Sequence, residues 1–152
     1  MQRLSLALLL VAIVSGADAI AQQCGTNAVT FFCPASIGAA LTTDDCASAD
    51  SSQYDLWQFS ATAGQTVTID MHSTAFDTFL ALIDPSGIPV AENDDLSSSS
   101  TDSRISITLT SSGTWTIVAN SLNASKTGDY NLQLSCGATI TARRRAVRHG
   151  SN

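Results

Sequence analysis

From Tyr54 to Cys136 the chain alternates apolar and polar side chains in short runs broken by Gly, Pro, Ser and Asp. A period of two puts every second side chain on one face of an extended strand. Thr66 to Met71 is the clearest run: Val67, Ile69 and Met71 face one way, and Thr66, Thr68 and Asp70 the other. His72 continues the polar parity, so it is expected to point outward. Tyr54 to Ala61 predicts a strand with Trp57 and Phe59 on one face. Phe79 to Ile83 is apolar on both parities and predicts a strand covered on both sides or crowded by a loop. Pro89 to Ala91 predicts a short edge strand, because proline donates no ladder hydrogen bond. Three further inner faces follow: Ile105, Ile107 and Leu109; Trp115, Ile117 and Ala119; Tyr130, Leu132, Leu134 and Cys136. The turns between them carry the expected chemistry. In Asp84-Pro85-Ser86-Gly87 the proline presets a negative φ and the glycine supplies a positive one. Gln22 to Asp50 is rich in small residues and weak in period, and predicts only one short strand at Ala39 to Thr42. Strands at this spacing, with no helical period among them, predict a single all-β domain built as an antiparallel sandwich or barrel.

The ends of the chain read differently. Arg3, the apolar run Leu4 to Val14 and Ala17-Asp18-Ala19, or Ala19-Ile20-Ala21, have the order of a secretory signal peptide, expected over residues 1–21. The run is shorter than the roughly 20 residues that span a bilayer, so stable membrane insertion is not expected. A secreted, extracellular protein follows. Residues 22–34 then form an N-terminal segment, 35–136 the sandwich, and 137–152 a basic tail expected to be disordered. Between Gln22 and Gly137 stand twelve acids, the thirteen of the chain less Asp18, and only Arg104 and Lys126 oppose them. A body with ten excess negative charges repels nucleic acid and anionic lipid. Arg143, Arg144, Arg145 and Arg148 give the tail the opposite sign.

Cys24, Cys33, Cys46 and Cys136 follow the leader in an even count, and their spacing fits no zinc pattern. Disulfides are expected in an exported chain. Four cysteines allow three pairings, of which Cys24–Cys33 with Cys46–Cys136 is preferred: a short local loop and a long tie from the start of the sandwich to its last strand.

The densest candidate chemistry is acidic. Glu92, Asn93, Asp94, Asp95 and Asp102 lie in or beside one loop, and Asp77 and Asp84 flank the preceding strand. Calcium takes six to eight oxygen ligands of this kind, so Asp77, Glu92, Asn93, Asp94 and Asp95 form a candidate calcium set. The competing use of such residues is turn hydrogen bonding. Arg104 is expected to form a structural ion pair with Asp77 or Asp94. Nothing points to catalysis: no G-x-S-x-G occurs, and His72 stands without an evident partner. Trp57, Trp115 and Tyr130 fall on inner faces and read as core rather than as a sugar platform, which leaves Tyr54 as the exposed aromatic. Asn123-Ala124-Ser125 is a formal N-glycosylation site.

In order, Gly38, Leu41-Thr42, Asp45, Asp55, Trp57, Phe59, Ala63-Gly64-Gln65-Thr66-Val67, Phe76-Asp77-Thr78-Phe79-Leu80, Asp84-Pro85-Ser86-Gly87, Asn93-Asp94-Asp95, Ser103-Arg104-Ile105, Ser112-Gly113-Thr114-Trp115-Thr116-Ile117 and Thr127-Gly128-Asp129-Tyr130 resemble the bacterial pre-peptidase C-terminal domain. The resemblance covers about Ala35 to Ser135. It implies a jelly-roll-like sandwich without catalysis, of the kind appended to secreted hydrolases, with calcium as the one cofactor to consider. Here the domain is expected to stand alone behind the leader. The expected function is a binding or accessory module for an extracellular polysaccharide, a matrix protein or a secreted hydrolase. The alternative is a structural envelope or surface protein with no dedicated ligand.

Overall fold

The computed structural model describes residues 27–137, with side chains from Phe32 onward. The leader, Cys24 and the Arg143 to Arg148 run lie outside the described residues. Ten strands make two stacked sheets: β1 (Asn27–Phe31), β2 (Ala35–Leu41), β3 (Cys46–Ala47), β4 (Gln53–Ala61), β5 (Thr66–His72), β6 (Thr78–Ile83), β7 (Pro89–Asn93), β8 (Ser103–Thr108), β9 (Gly113–Ser121) and β10 (Gly128–Cys136). One sheet runs β1-β4-β9-β6-β7, with β3 also on β4; the other runs β2-β10-β5-β8. The expected all-β sandwich is therefore the observed fold, antiparallel in every pair except β1 with β4, which is parallel.

The alternating strands bury their apolar parity. Phe59 faces Trp115 across β4 and β9, and both are fully buried with Leu80, Leu82 and Ile117. Val67, Ile69, Met71, Leu132 and Leu134 meet them from the other sheet. A polar chain crosses this interior. Trp57 Nε1–H donates to the Tyr130 hydroxyl at 2.8 Å, and that hydroxyl donates to Asp55 at 2.6 Å. Desolvation raises the pKa of the buried Asp55 carboxyl and also pushes the Tyr130 phenol up. The chain joins β4 of one sheet to β10 of the other.

The N-terminal segment differs from expectation. Where one short strand was foreseen, β1 and β2 both form, and β1 already belongs to the larger sheet. The seven residues of β2, ASIGAAL, are too small to show a period, yet the full strand pairs with β10 from Leu41 opposite Gly128 to Ala35 opposite Leu134. That register decides the cysteine pairing. Cys33 stands just before β2 and Cys136 ends β10, so the two meet with Cα atoms 5.9 Å apart and form the disulfide. The preferred Cys46–Cys136 and Cys24–Cys33 bonds are thus corrected. Cys46, paired opposite Tyr54 in the other sheet, is bonded elsewhere, and no described thiol is free.

Two turns show why glycine is required. Gly87 (φ +82°) closes the predicted turn, where the Asp84 carboxylate accepts from Ser86 N–H and Ile88 N–H. Gly128 (φ +140°) opens β10 under the turn that follows β5, and an added Cβ would lie 2.4 Å from that of Ala75.

Candidate functional site

Strand register brings four connections to one end of the sandwich, the first of them passing through β3. The starts of β4, β6, β8 and β10 and the ends of β2, β5, β7 and β9 lie level there. Asp44 and Asp45 follow β2, Asp50 precedes β4, and Asp77 precedes β6. Asp94, Asp95 and Asp102 occupy the β7–β8 loop, and Asp129 stands at the start of β10. These are eight of the body's twelve acids, set against Lys126 of the β9–β10 loop. The opposite end carries Asp84. The sequence reading found the acidic loop but not this pole, because the other carboxylates join it only through the topology.

The loops of the acidic end hold one another. Leu122 N–H donates to the Asp77 carbonyl at 2.8 Å, Thr78 N–H to the Thr101 carbonyl at 3.0 Å, and Ser125 N–H to the Ser51 carbonyl at 2.8 Å. The buried Ser103 hydroxyl donates to the Asp94 carbonyl at 2.8 Å and lies 2.6 Å from the Thr78 hydroxyl. Hydroxyl donation from Ser48 and Ser52 holds Asp50 down to about 2.

The candidate calcium residues have separate occupations. Asn93 is spent on structure: its Oδ1 accepts from Arg104 N–H at 2.8 Å and its Nδ2 donates to the Asp95 carbonyl at 3.0 Å. Glu92 extends from β7 opposite Ala81. Asp77, Asp94 and Asp95 are close enough to repel one another. Desolvation first, then the charges of Asp95 and Asp94, raise the Asp77 pKa, and its Oδ1 is enclosed without a hydrogen-bond partner. Among the described residues no three His, Cys, Asp or Glu side chains gather closely enough to hold a metal ion.

A raised native pKa means that the folded state holds its proton more tightly than the unfolded one. Such a group's stabilising contribution is present at low pH and lost as pH rises through the native value. Asp77→Asn should therefore melt above the parent protein at pH 7 and converge with it near pH 3. Equal melting curves for the two proteins at every pH would show that Asp77 carries no such repulsion.

The ion pair expected between Arg104 and Asp77 or Asp94 forms instead with Asp70. The β5–β8 register places Asp70 directly opposite Arg104 on the outer face, and neither alternative lies on a facing strand. His72 points outward as expected, but it has a partner the sequence did not reveal: Nδ1 lies 2.7 Å from Asp102 Oδ1. The pair lines an open groove of about 520 Å³ with Ser73, Ser99, Ser100 and Thr101. Three of the nearby serine hydroxyls are engaged elsewhere. Ser73 donates to the Asp129 carbonyl, Ser100 accepts from Asp102 N–H, and Ser99 pairs with Ser97. Among the described residues no hydroxyl is hydrogen-bonded to His72, whose side-chain partner is Asp102.

Solved structures share this fold. PliG of Aeromonas hydrophila, a periplasmic lysozyme inhibitor of g-type lysozyme, is similar over 72% of this chain and 93% of its own, at 19% identity and a TM-score of 0.50. The pre-peptidase C-terminal domain of collagenase from Bacillus anthracis is similar over 67% of this chain and 89% of its own, at 12% identity and a TM-score of 0.51. No curated protein sequence matches the chain. Residues 53–121, from β4 through β9, match the family model of the bacterial pre-peptidase C-terminal domain.

Proposed function

We propose that this protein is a non-catalytic binding module, exported across the cytoplasmic membrane, that docks through its acidic end onto a basic face of a secreted hydrolase. The observation that carries this reading is the charge asymmetry of the fold, with eight acids against one lysine at one end. Such a field steers a cationic partner and fixes its orientation more than it adds affinity. The interlocked loops support it, because a surface held by hydrogen bonds between its own segments loses little entropy on docking. The Cys33–Cys136 bond favours an oxidising compartment. The fold shared with a g-type lysozyme inhibitor and with a collagenase domain makes hydrolases the partners to test first.

Interferometry with immobilised g-type lysozyme and with secreted metallopeptidases is the direct measurement. Binding should weaken at least tenfold between 50 and 500 mM salt, and again in Asp94→Lys/Asp95→Lys. No binding to any hydrolase, or binding indifferent to both changes, would remove the reading.

A further inference from the structure

The outward face of the four-stranded sheet is divided in two. On β5 and β8 the side chains close on each other across the strands: Thr66 with Thr108 at 3.1 Å, Thr68 with Ser106 at 3.2 Å, and Asp70 with Arg104. His72 is closed by Asp102 just beyond. On β10 and β2 the same face carries Asp129, Asn131, Gln133 and Ser135 beside Ser36, Gly38 and Ala40. Among the described residues, none of the side chains on this second half makes a hydrogen bond or an ion pair.

One shallow hollow lies on the β5 side of β10, over Asn131 and His72. On the β2 side two more follow one another along the unpaired half, one over Ser36, Gln133 and Ser135 and the next over Gly38, Ala40 and Asp129. They form a trough because β2 offers nothing longer than serine on this face, and a Cβ added at Gly38 would meet no atom within 4 Å. Along one wall, carboxylate, carboxamide and hydroxyl groups recur at every second residue of β10, about 6.8 Å apart.

We propose that this trough binds an extended, neutral glycan chain. Each carboxamide presents a donor and an acceptor side by side, the match for neighbouring hydroxyls on a sugar ring, and Asn131 and Gln133 supply two of them in a row. A peptide ligand would need pockets for aromatic, aliphatic or arginine anchors. Here Tyr130 and Leu134 are buried beneath the floor, and Ala40 is the largest apolar side chain on the face. Charge selects among polymers. The body's ten excess negative charges repel polyanions, and the wall itself carries only one carboxylate, Asp129, at its end, so its neutral carboxamides and hydroxyls and not paired charges select the ligand. The site is built on β2 and β10, which lie outside the 53–121 family match. It shares Asp129 with the acidic end, but no substitution that tests either site touches that residue, so either reading can fail alone.

Affinity electrophoresis of the mature protein through native gels tests it, with glycol chitin, soluble β-glucan and dextran as neutral polymers and alginate and gelatin as comparisons. Retardation is expected in at least one neutral gel. Asn131→Ala/Gln133→Ala should weaken it at least tenfold, and Gly38→Leu, which fills the trough at a position with ordinary φ and open space, should do the same. Thr68→Ala/Ser106→Ala, on the closed half of the same face, should migrate as the parent does. Melting curves confirm that each variant is folded. No retardation in any neutral gel would overturn the proposal, as would retardation by alginate or gelatin alone, or retardation equal in the parent and both trough variants.

Discussion

Replacing Cys33 and Cys136 together by serine should lower the unfolding free energy by about 4 to 5 kcal/mol, read as a shift of the urea midpoint. The bond spans 103 residues, and in the chain-entropy picture a loop of that length loses most when it is released into the unfolded ensemble. The effect should be visible with the Cys46 bond intact. A small domain has about 5 to 15 kcal/mol in total, so the variant should be partly unfolded at 37 °C. A midpoint unmoved in the double variant would mean that the β2–β10 ladder alone fixes the chain termini of the sandwich.

Trp115→Ala is the second large effect. Trp115 is 1% exposed, directly opposite Phe59 across the β4–β9 ladder, and its Nε1–H donates to the Ser111 carbonyl at 3.3 Å. Truncation removes the largest side chain from the centre of the interior and leaves a void that strands fixed on both sides cannot collapse into. A loss of about 3 to 5 kcal/mol is expected, against a smaller one for Trp115→Phe, which keeps most of the volume. A cost below about 1 kcal/mol for the alanine variant would show that the sheets close over the gap, contrary to the close packing assumed here.

The parts of the fold visible in the sequence are those where one strand's own alternation decides the outcome. Val67, Ile69 and Met71 announce their burial without reference to any neighbour, and so do Trp115, Ile117 and Ala119. β2 was underestimated because Gly38, Ala39 and Ala40 differ too little in hydropathy to mark a face, and its stability comes from β10. The cysteine pairing failed for the same reason: it depends on β2 lying beside β10, a choice made by strand order and not by spacing. Asp70 with Arg104 and His72 with Asp102 are likewise products of the β5–β8 register, separated by 34 and 30 residues in the chain. The acidic loop was legible as composition. That it belongs to a whole acidic end, and that β10 and β2 leave a row of polar groups unmatched, are facts of topology.

The bond between Cys33 and Cys136 also makes a closed ring of every strand from β2 to β10. A protease that cuts once within an exposed connection, such as Ser97 to Ser100 or Asn123 to Thr127, opens that ring without releasing a fragment. The two new ends stay tethered to a sandwich that is still laced together by its ladders. A single nick therefore leaves one covalent piece.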